Sequence, residues 1–241
     1  MNKYDIVCFN KIKNINFEIL RGIFKMENII GLLVSYLFIF LVIFVAKFFE
    51  KLGKEASRKF IHIMLSNWWF IAMWFFKDPI WAAIGPISFV IINWLSYKKD
   101  IISVMERTED KKDGLGTVYY ALSLLILVIL TFGIFKRTEL GLASILIMGY
   151  GDGFAAVFGK AIKSKEYKVG GTTKTLVGSA TMFLVTYVIV GILFAYLGVT
   201  AWCLKAILIG AILTVVEAVS IKGTDNITVP IMSFLLLILM A

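Results

Sequence analysis

Eight apolar runs constrain this chain more than any other feature. They fall at about 29–48, 60–76, 79–97, 115–135, 140–158, 176–197, 202–221 and 227–241, and most approach the roughly twenty residues a helix needs to cross a bilayer. Inside hydrocarbon every backbone N–H and C=O must find a partner within the chain, so runs of this kind imply helices. Composition agrees, since 60% of the 241 residues are hydrophobic and the mean hydropathy is +0.88, more than a soluble domain carries on its surface. The expected fold is all-α, a multi-pass transmembrane helical bundle of seven or eight spans. The last run is short and holds Pro230, so a re-entrant segment is the alternative to an eighth span.

Residues 1–27 form a separate N-terminal segment. Phe9, Ile12, Ile19 and Ile23 recur at near-helical spacing, with Lys11, Lys13, Arg21 and Lys25 between them, as in a helix lying in the membrane interface. The segment also reads as dispensable. Met26 stands directly before the first run, so a chain starting there keeps every chemistry-bearing residue. Residues 28–241 then form one transmembrane domain, with no soluble domain between spans and no internal repeat.

Charge sets the orientation. The loops 47–59, 98–113 and 160–174, after spans one, three and five, hold five Lys or Arg each, whereas the intervening connections hold one, two and none. Basic loops stay on the cytoplasmic side, which places these three there and the protein in the cell membrane. The net charge of +9 is accounted for by such loops, and nucleic acid is not an expected partner. Two distant cysteines, Cys8 and Cys203, and a single histidine leave no zinc arrangement and no disulfide framework.

Chemistry concentrates between Gly149 and Ser179. Asp152 lies inside an apolar run, flanked by Gly151 and Gly153, where a carboxylate is costly and marks function. It reads as a Mg²⁺ ligand or as the base for an attacking hydroxyl, or else as the partner of a lysine in a structural ion pair. The stretch Gly170, Gly171, Thr172, Thr173, Lys174, Thr175 then precedes a new apolar helix. Flexible backbone, hydroxyls, an ammonium group and a helix N-terminus together suit phosphate; the alternative is a positive-inside lysine beside an N-cap threonine. Lys160, Lys163, Lys165 and Lys168 read as a face toward solvent or lipid headgroups.

Two further groups fall on the same side. Arg58, Lys59 and His62 occupy i, i+1 and i+4 at the mouth of span two, as contacts for polyphosphate or, for His62, as a hydrogen-bonded bystander. Glu217 and Asp225, with Asn226, flank the end of span seven. With Asp152 they supply the hard oxygen ligands that Mg²⁺ prefers, although Glu217 is also placed to pair with Lys222. Asp113 to Thr117 is a fifth polar feature on that side. Gly151-x-Gly153-x-x-Ala156 matches a dinucleotide fingerprint, but no strand precedes it. Gly153 to Lys160 has one residue too many for a P-loop.

Taken together, Arg58-Lys59-x-x-His62, Gly151-Asp152-Gly153-x-Ala155-Ala156 running to Gly159, Lys174-Thr175-x-x-Gly178-Ser179, and Glu217 with Gly223-x-Asp225-Asn226-x-x-Val229-Pro230 resemble the CTP-dependent polyprenol and lipid kinases. That family comprises dolichol kinase, phytol kinase and the yeast-type CTP-dependent diacylglycerol kinase. The blocks extend from span two to the C-terminus. Members often carry a glutamate before the Gly-Ser pair, where this chain has Val177, a departure that bears on the metal set.

The resemblance implies an all-helical membrane enzyme with CTP as phosphoryl donor, a divalent metal such as Mg²⁺, and a lipid alcohol as acceptor. It implies metal at Asp152, Asp225 and Glu217, and catalysis by Asp152, Lys174 and His62. Nucleotide and phosphate would be bound by Arg58, Lys59, Gly151, Gly153, Gly170, Gly171, Thr172, Thr173, Thr175, Gly178, Ser179 and Asn226. Residues 28–241 would form the kinase domain, with its active site at the cytoplasmic face. A phosphatidate cytidylyltransferase is the alternative within enzymes. An ion-coupled transporter is the alternative from another class, disfavoured by the absence of repeat halves.

Overall fold

A computed structural model describes residues 26–99, 115–169, 172–221 and 223–241. The amphipathic pattern of residues 1–25, the 100–114 stretch of the second basic loop, Gly170, Gly171 and Lys222 lie outside the described residues.

Six of the apolar runs form helices long and apolar enough to cross a membrane. The first is α1 (Met26–Phe49), which leads through a 3₁₀ turn (Glu50–Leu52) into the second run. That run differs from a single span. It divides into α2 (Lys54–Ser66) and α3 (Trp68–Phe75), because Asn67 turns its side-chain amide onto the carbonyls of Ile63 and Met64, at 3.2 Å each, and interrupts the ladder. Since α2 begins well before the apolar run does, Arg58, Lys59 and His62 are carried on regular helix.

Then follow α4 (Pro79–Lys99), α5 (Gly116–Val128) and α6 (Thr138–Leu146). A π-helical turn, Ile129–Ile134, extends α5. A second, Ile147–Asp152, joins α6 to α7 (Gly153–Ala161). The wider turn shifts the phase of the helix after it, and Asp152 is its last residue.

Among the described residues one departure from helix occurs. The lysine-bearing connection after α7 contains an antiparallel hairpin, β1 (Glu166–Val169) against β2 (Thr172–Thr175), with Glu166 opposite Thr175 and Val169 opposite Thr172. Thr175 caps the next helix, α8 (Leu176–Tyr196), by accepting from the Gly178 N–H at 3.1 Å. The chain closes with α9 (Trp202–Val219) and α10 (Asp225–Met240); at 16 residues α10 is shorter than the spans.

The packing is inverted relative to a soluble bundle. Leu33, Phe40 and Phe44 of α1, Leu184 and Ile192 of α8 and Leu204 of α9 face outward. Buried serines and threonines return their hydroxyls to the preceding turn, as Ser35 does to Gly31, Thr131 to Leu127 and Ser144 to Leu140. One continuous core, including Trp69, Phe132, Leu140, Met182, Phe194 and Phe234, ties α3, α5, α6, α8 and α10 together. It fixes the helix ends from which the polar side chains project.

Candidate active site

At one end of the bundle a polar cavity of about 270 Å³ is lined by residues from α2, α5, α7, β2, α8, α9 and α10. Asp152, Glu217 and Asp225 meet there, each offering a carboxylate oxygen within 4.8 Å of the other two. Asp152 and Glu217 are buried, at 7% and 3% exposure. Three carboxylates so close and so poorly solvated repel one another, and cations compensate. Lys59 donates to Asp152 Oδ2 at 2.6 Å, and Lys174 pairs with Glu217. Burial alone would lower the pKa of the Lys174 ammonium; the carboxylates of Glu217, Asp152 and Asp225 outweigh it and raise that pKa above the ordinary lysine value. Arg58 makes two bonds to Glu55, at 2.9 and 2.6 Å.

Each acid is set by its element. Asp152 is aimed by the π-helical turn, which lies tightly on α2 because Gly149 has no side chain: a Cβ there would fall 2.5 Å from Ser66 Cβ. Glu217 sits in the last turn of α9. Asp225 begins α10 after Gly223, whose φ of +85° makes the reversal from α9 and whose backbone packs against Gly116. Asn226 completes that joint, its Nδ2 donating to the Gly116 carbonyl at 2.8 Å.

Of the residues singled out in the sequence, the cavity gathers Arg58, Lys59, Asp152, Thr172, Thr173, Lys174, Thr175, Gly178, Ser179, Glu217, Asp225 and Asn226. The Thr172 hydroxyl bonds the Val169 carbonyl at 3.0 Å, Thr175 is the helix cap, and Ser179 bonds Tyr167. Gly151 and Gly153 are placed elsewhere. Neither lines the cavity; their Cα atoms face Met182 and Ile63, which a Cβ would approach to 2.6 and 2.3 Å. Gly178 serves a similar close crossing of α8 on α7, facing the Ala155 carbonyl.

His62 also stands behind the cavity. Its Nε2 lies 3.3 Å from Asp152 Oδ2 and 3.3 Å from the Met148 carbonyl. Both neighbours are acceptors, which puts the proton on Nε2. His62 therefore orients Asp152, with Tyr120 edge-on at 4.9 Å behind it.

Glu217 takes Lys174 as its partner; the Lys222 alternative lies outside the described residues. Asp152 has Lys59 as its ion-pair partner. Val177 lies outside the lining, so the three acids converge without a contribution from its position. Lining residues not picked out in the sequence include Glu55 and Ser220. Both carried a helical-spacing signal, Glu55 at i−3 from Arg58 and Ser220 at i+3 from Glu217.

The donor set fits a hard divalent cation: three carboxylates converge, and no sulfur or imidazole ligand lies among them. Beside it stand three ammonium groups, those of Lys59, Lys174 and also Lys160, expected from the sequence to face solvent or headgroups, with a guanidinium and the hairpin strand that precedes α8. This is an arrangement for polyphosphate, in which a metal and cations neutralise charge on phosphoryl oxygens.

Comparison with known proteins gives the same direction. The chain is 32% identical over 215 residues to the phytol kinase of the cyanobacterium Synechocystis sp., covering 86% of this chain and 89% of that protein. It is 28% identical over 208 residues to a probable chloroplastic phytol kinase of Triticum aestivum, covering 78% of this chain and 68% of that one. Similarity to a probable chloroplastic phytol kinase 1 of Oryza sativa subsp. japonica is 28% over 204 residues, or 76% of this chain and 63% of the relative. No protein-family model matches the chain, and no solved structure matches it significantly.

Proposed function

The chain belongs to the polyprenol and lipid kinase family that includes the phytol kinases, and from that premise we propose that it transfers the terminal phosphoryl group of CTP to the hydroxyl of an isoprenoid alcohol held in the membrane. The observation that carries this reading is the meeting of Asp152, Glu217 and Asp225 with Lys59 and Lys174 in one cavity at the end of a membrane-type bundle.

In this reading Asp152, Glu217 and Asp225 would hold Mg²⁺, which when bound would supply charge neutralisation for phosphoryl transfer. Lys59 and Lys174, which pair with two of those carboxylates in the resting protein, exchange them for phosphate oxygens. Arg58 and Lys160 add further positive charge at the cavity wall. The alcohol oxygen attacks the terminal phosphorus, a new P–O bond forms, the bond to the β-phosphate oxygen breaks, and CDP leaves. Asp152, oriented by His62 and in contact with Lys59 of α2, accepts the hydroxyl proton. Little covalent work falls to the protein, because phosphoryl transfer needs mainly positioning and electrostatic neutralisation. The cavity faces the cytoplasm of a cell membrane, where the basic loops lie.

The test is incubation of the purified protein in vesicles with Mg²⁺, CTP labelled in either the α- or the γ-phosphate, and phytol. The expected products are γ-labelled phytyl phosphate and CDP. Release of pyrophosphate with transfer of the α-label to lipid would instead identify a cytidylyltransferase.

A further inference from the structure

A second cavity, of about 70 Å³, adjoins the polar one and shares four lining residues with it: Arg58, Gly116, Thr117 and Asn226. Beyond that rim the walls are mostly apolar, with His62, Asn93 and Tyr120 as polar exceptions. Ile39 of α1, Leu65 of α2, Trp68 of α3, Phe89 of α4 and Leu124 of α5 surround it. From Thr117 at the rim to Leu124 is seven residues of one helix, so the cavity extends about 10 Å from the rim along α5. His62 lines this cavity, while its Nε2 contacts Asp152, which lines the other.

We propose that the apolar cavity holds the hydrocarbon of the acceptor alcohol next to its hydroxyl, with that hydroxyl at the shared rim facing the carboxylates, and that it admits a single chain. The proposal rests on the kinase reading above. Continuity between the two cavities identifies the occupant as a molecule with one polar end, because its head must enter a site of carboxylates and ammonium groups while the adjoining segment meets mostly hydrocarbon. The size selects the tail. At about a quarter of the polar cavity's volume, 70 against 270 Å³, the space suits one chain, and a two-chain glyceride would have to leave its second chain outside.

Gly85 is the position from which tail length is read. It lines the cavity opposite Trp68, and, its chain neighbours aside, a Cβ placed on it would meet the Trp68 ring at 3.5 and 3.9 Å, both ordinary contacts. A larger side chain at Gly85 therefore grows into the cavity and takes the place of the tail. Because Gly85 directly precedes Pro86, whose ring crowds a side chain on the preceding helical residue, the variant's Tm is measured beside its activity.

The experiment uses the full-length protein in vesicles with Mg²⁺ and CTP. It compares the wild type with Gly85→Leu on prenol, geraniol, farnesol, phytol and diacylglycerol, and adds photolabelling with a farnesol analogue that carries a diazirine in its tail. The wild type is expected to prefer phytol and farnesol over diacylglycerol. Gly85→Leu is expected to lower kcat/KM for phytol and farnesol by about tenfold or more while leaving prenol unchanged. The photolabel is expected on α3, α4 and α5 of the wild type and to be lost in the variant. Equal effects on every alcohol, or label placed elsewhere while phytol is still phosphorylated, would overturn the cavity assignment and leave the kinase reading standing. Label in the cavity with no alcohol phosphorylated would support the tail site and count against the kinase reading.

Discussion

Lys59 reaches Asp152 across 93 residues of sequence to lie 2.6 Å from its Oδ2, with both side chains buried. Such a contact is consistent with a purely structural pair, and the two roles predict different variants. Asp152→Asn strands the Lys59 ammonium, and breaking a buried pair costs about 3–5 kcal/mol. Combining it with Lys59→Met removes the stranded charge, so the double variant is expected to recover most of the lost thermal stability. Phosphoryl transfer is expected to stay depressed by about a hundredfold or more in both variants, because the metal ligand is gone. Tm and transfer rate measured on the same preparations decide it. Recovery of transfer in the double variant would reduce Asp152 to an ion-pair partner. At this scale the sequence was informative about which residues matter and silent about how they pair. Asp152, Glu217 and Lys174 stood out as charges in or beside apolar runs, but whether Lys59 or Lys174 meets Asp152 depends on how α2 crosses the turn before α7, which no local pattern encodes.

The π-helical turn Ile147–Asp152 and α2 are held together by the fit of Gly149 against Ser66. Gly149→Ala puts a methyl group where Ser66 Cβ already lies, an overpacking that costs about 1–3 kcal/mol and pushes Asp152 away from Lys59. Ser66→Gly removes the obstacle. The pair Gly149→Ala with Ser66→Gly is expected to regain both the Tm and the transfer rate lost in Gly149→Ala alone, as a double-variant cycle would measure; additive losses would show that the two residues do not share one contact. The wider turn was not legible beforehand, because in a run that is apolar on nearly every face a shift of helical phase leaves no mark in the residue pattern. The hairpin was legible in principle. Two short polar runs, Glu166–Val169 and Thr172–Thr175, stand either side of Gly170-Gly171, a two-residue hairpin signal overshadowed by the reading of those glycines as phosphate ligands.

Apolar runs gave the helices of the whole molecule nearly one for one, since span length and the need to satisfy backbone groups in lipid leave few options. The exceptions have local causes. Asn67 splits the second run through its side-chain bonds to the preceding carbonyls, and the eighth run forms the shorter α10, whose first turn carries Asp225 and Asn226 into the cavity. Loop charge carries the remaining topological expectation. On a background lacking Cys8 and Cys203, single cysteines introduced in loops 47–59 and 160–174 are expected to react with a membrane-impermeant maleimide from the same side as CTP acts. Labelling of the two loops from opposite sides would contradict a shared cytoplasmic face.

Arg58, Lys59 and Lys174 each already hold a carboxylate. A membrane-embedded enzyme lives among phospholipid phosphates far more concentrated than any rare alcohol or nucleotide, and an open cluster of cations at headgroup depth would be clogged by them. Because these three cations are neutralised from within, a passing headgroup gains nothing by displacing a carboxylate unless it also brings something for the carboxylates to hold. A metal chelated to a polyphosphate satisfies both halves of the exchange at once; a lone phosphodiester satisfies only one. On the kinase reading proposed above, the internal pairs act as a filter against the lipid in which the protein is dissolved.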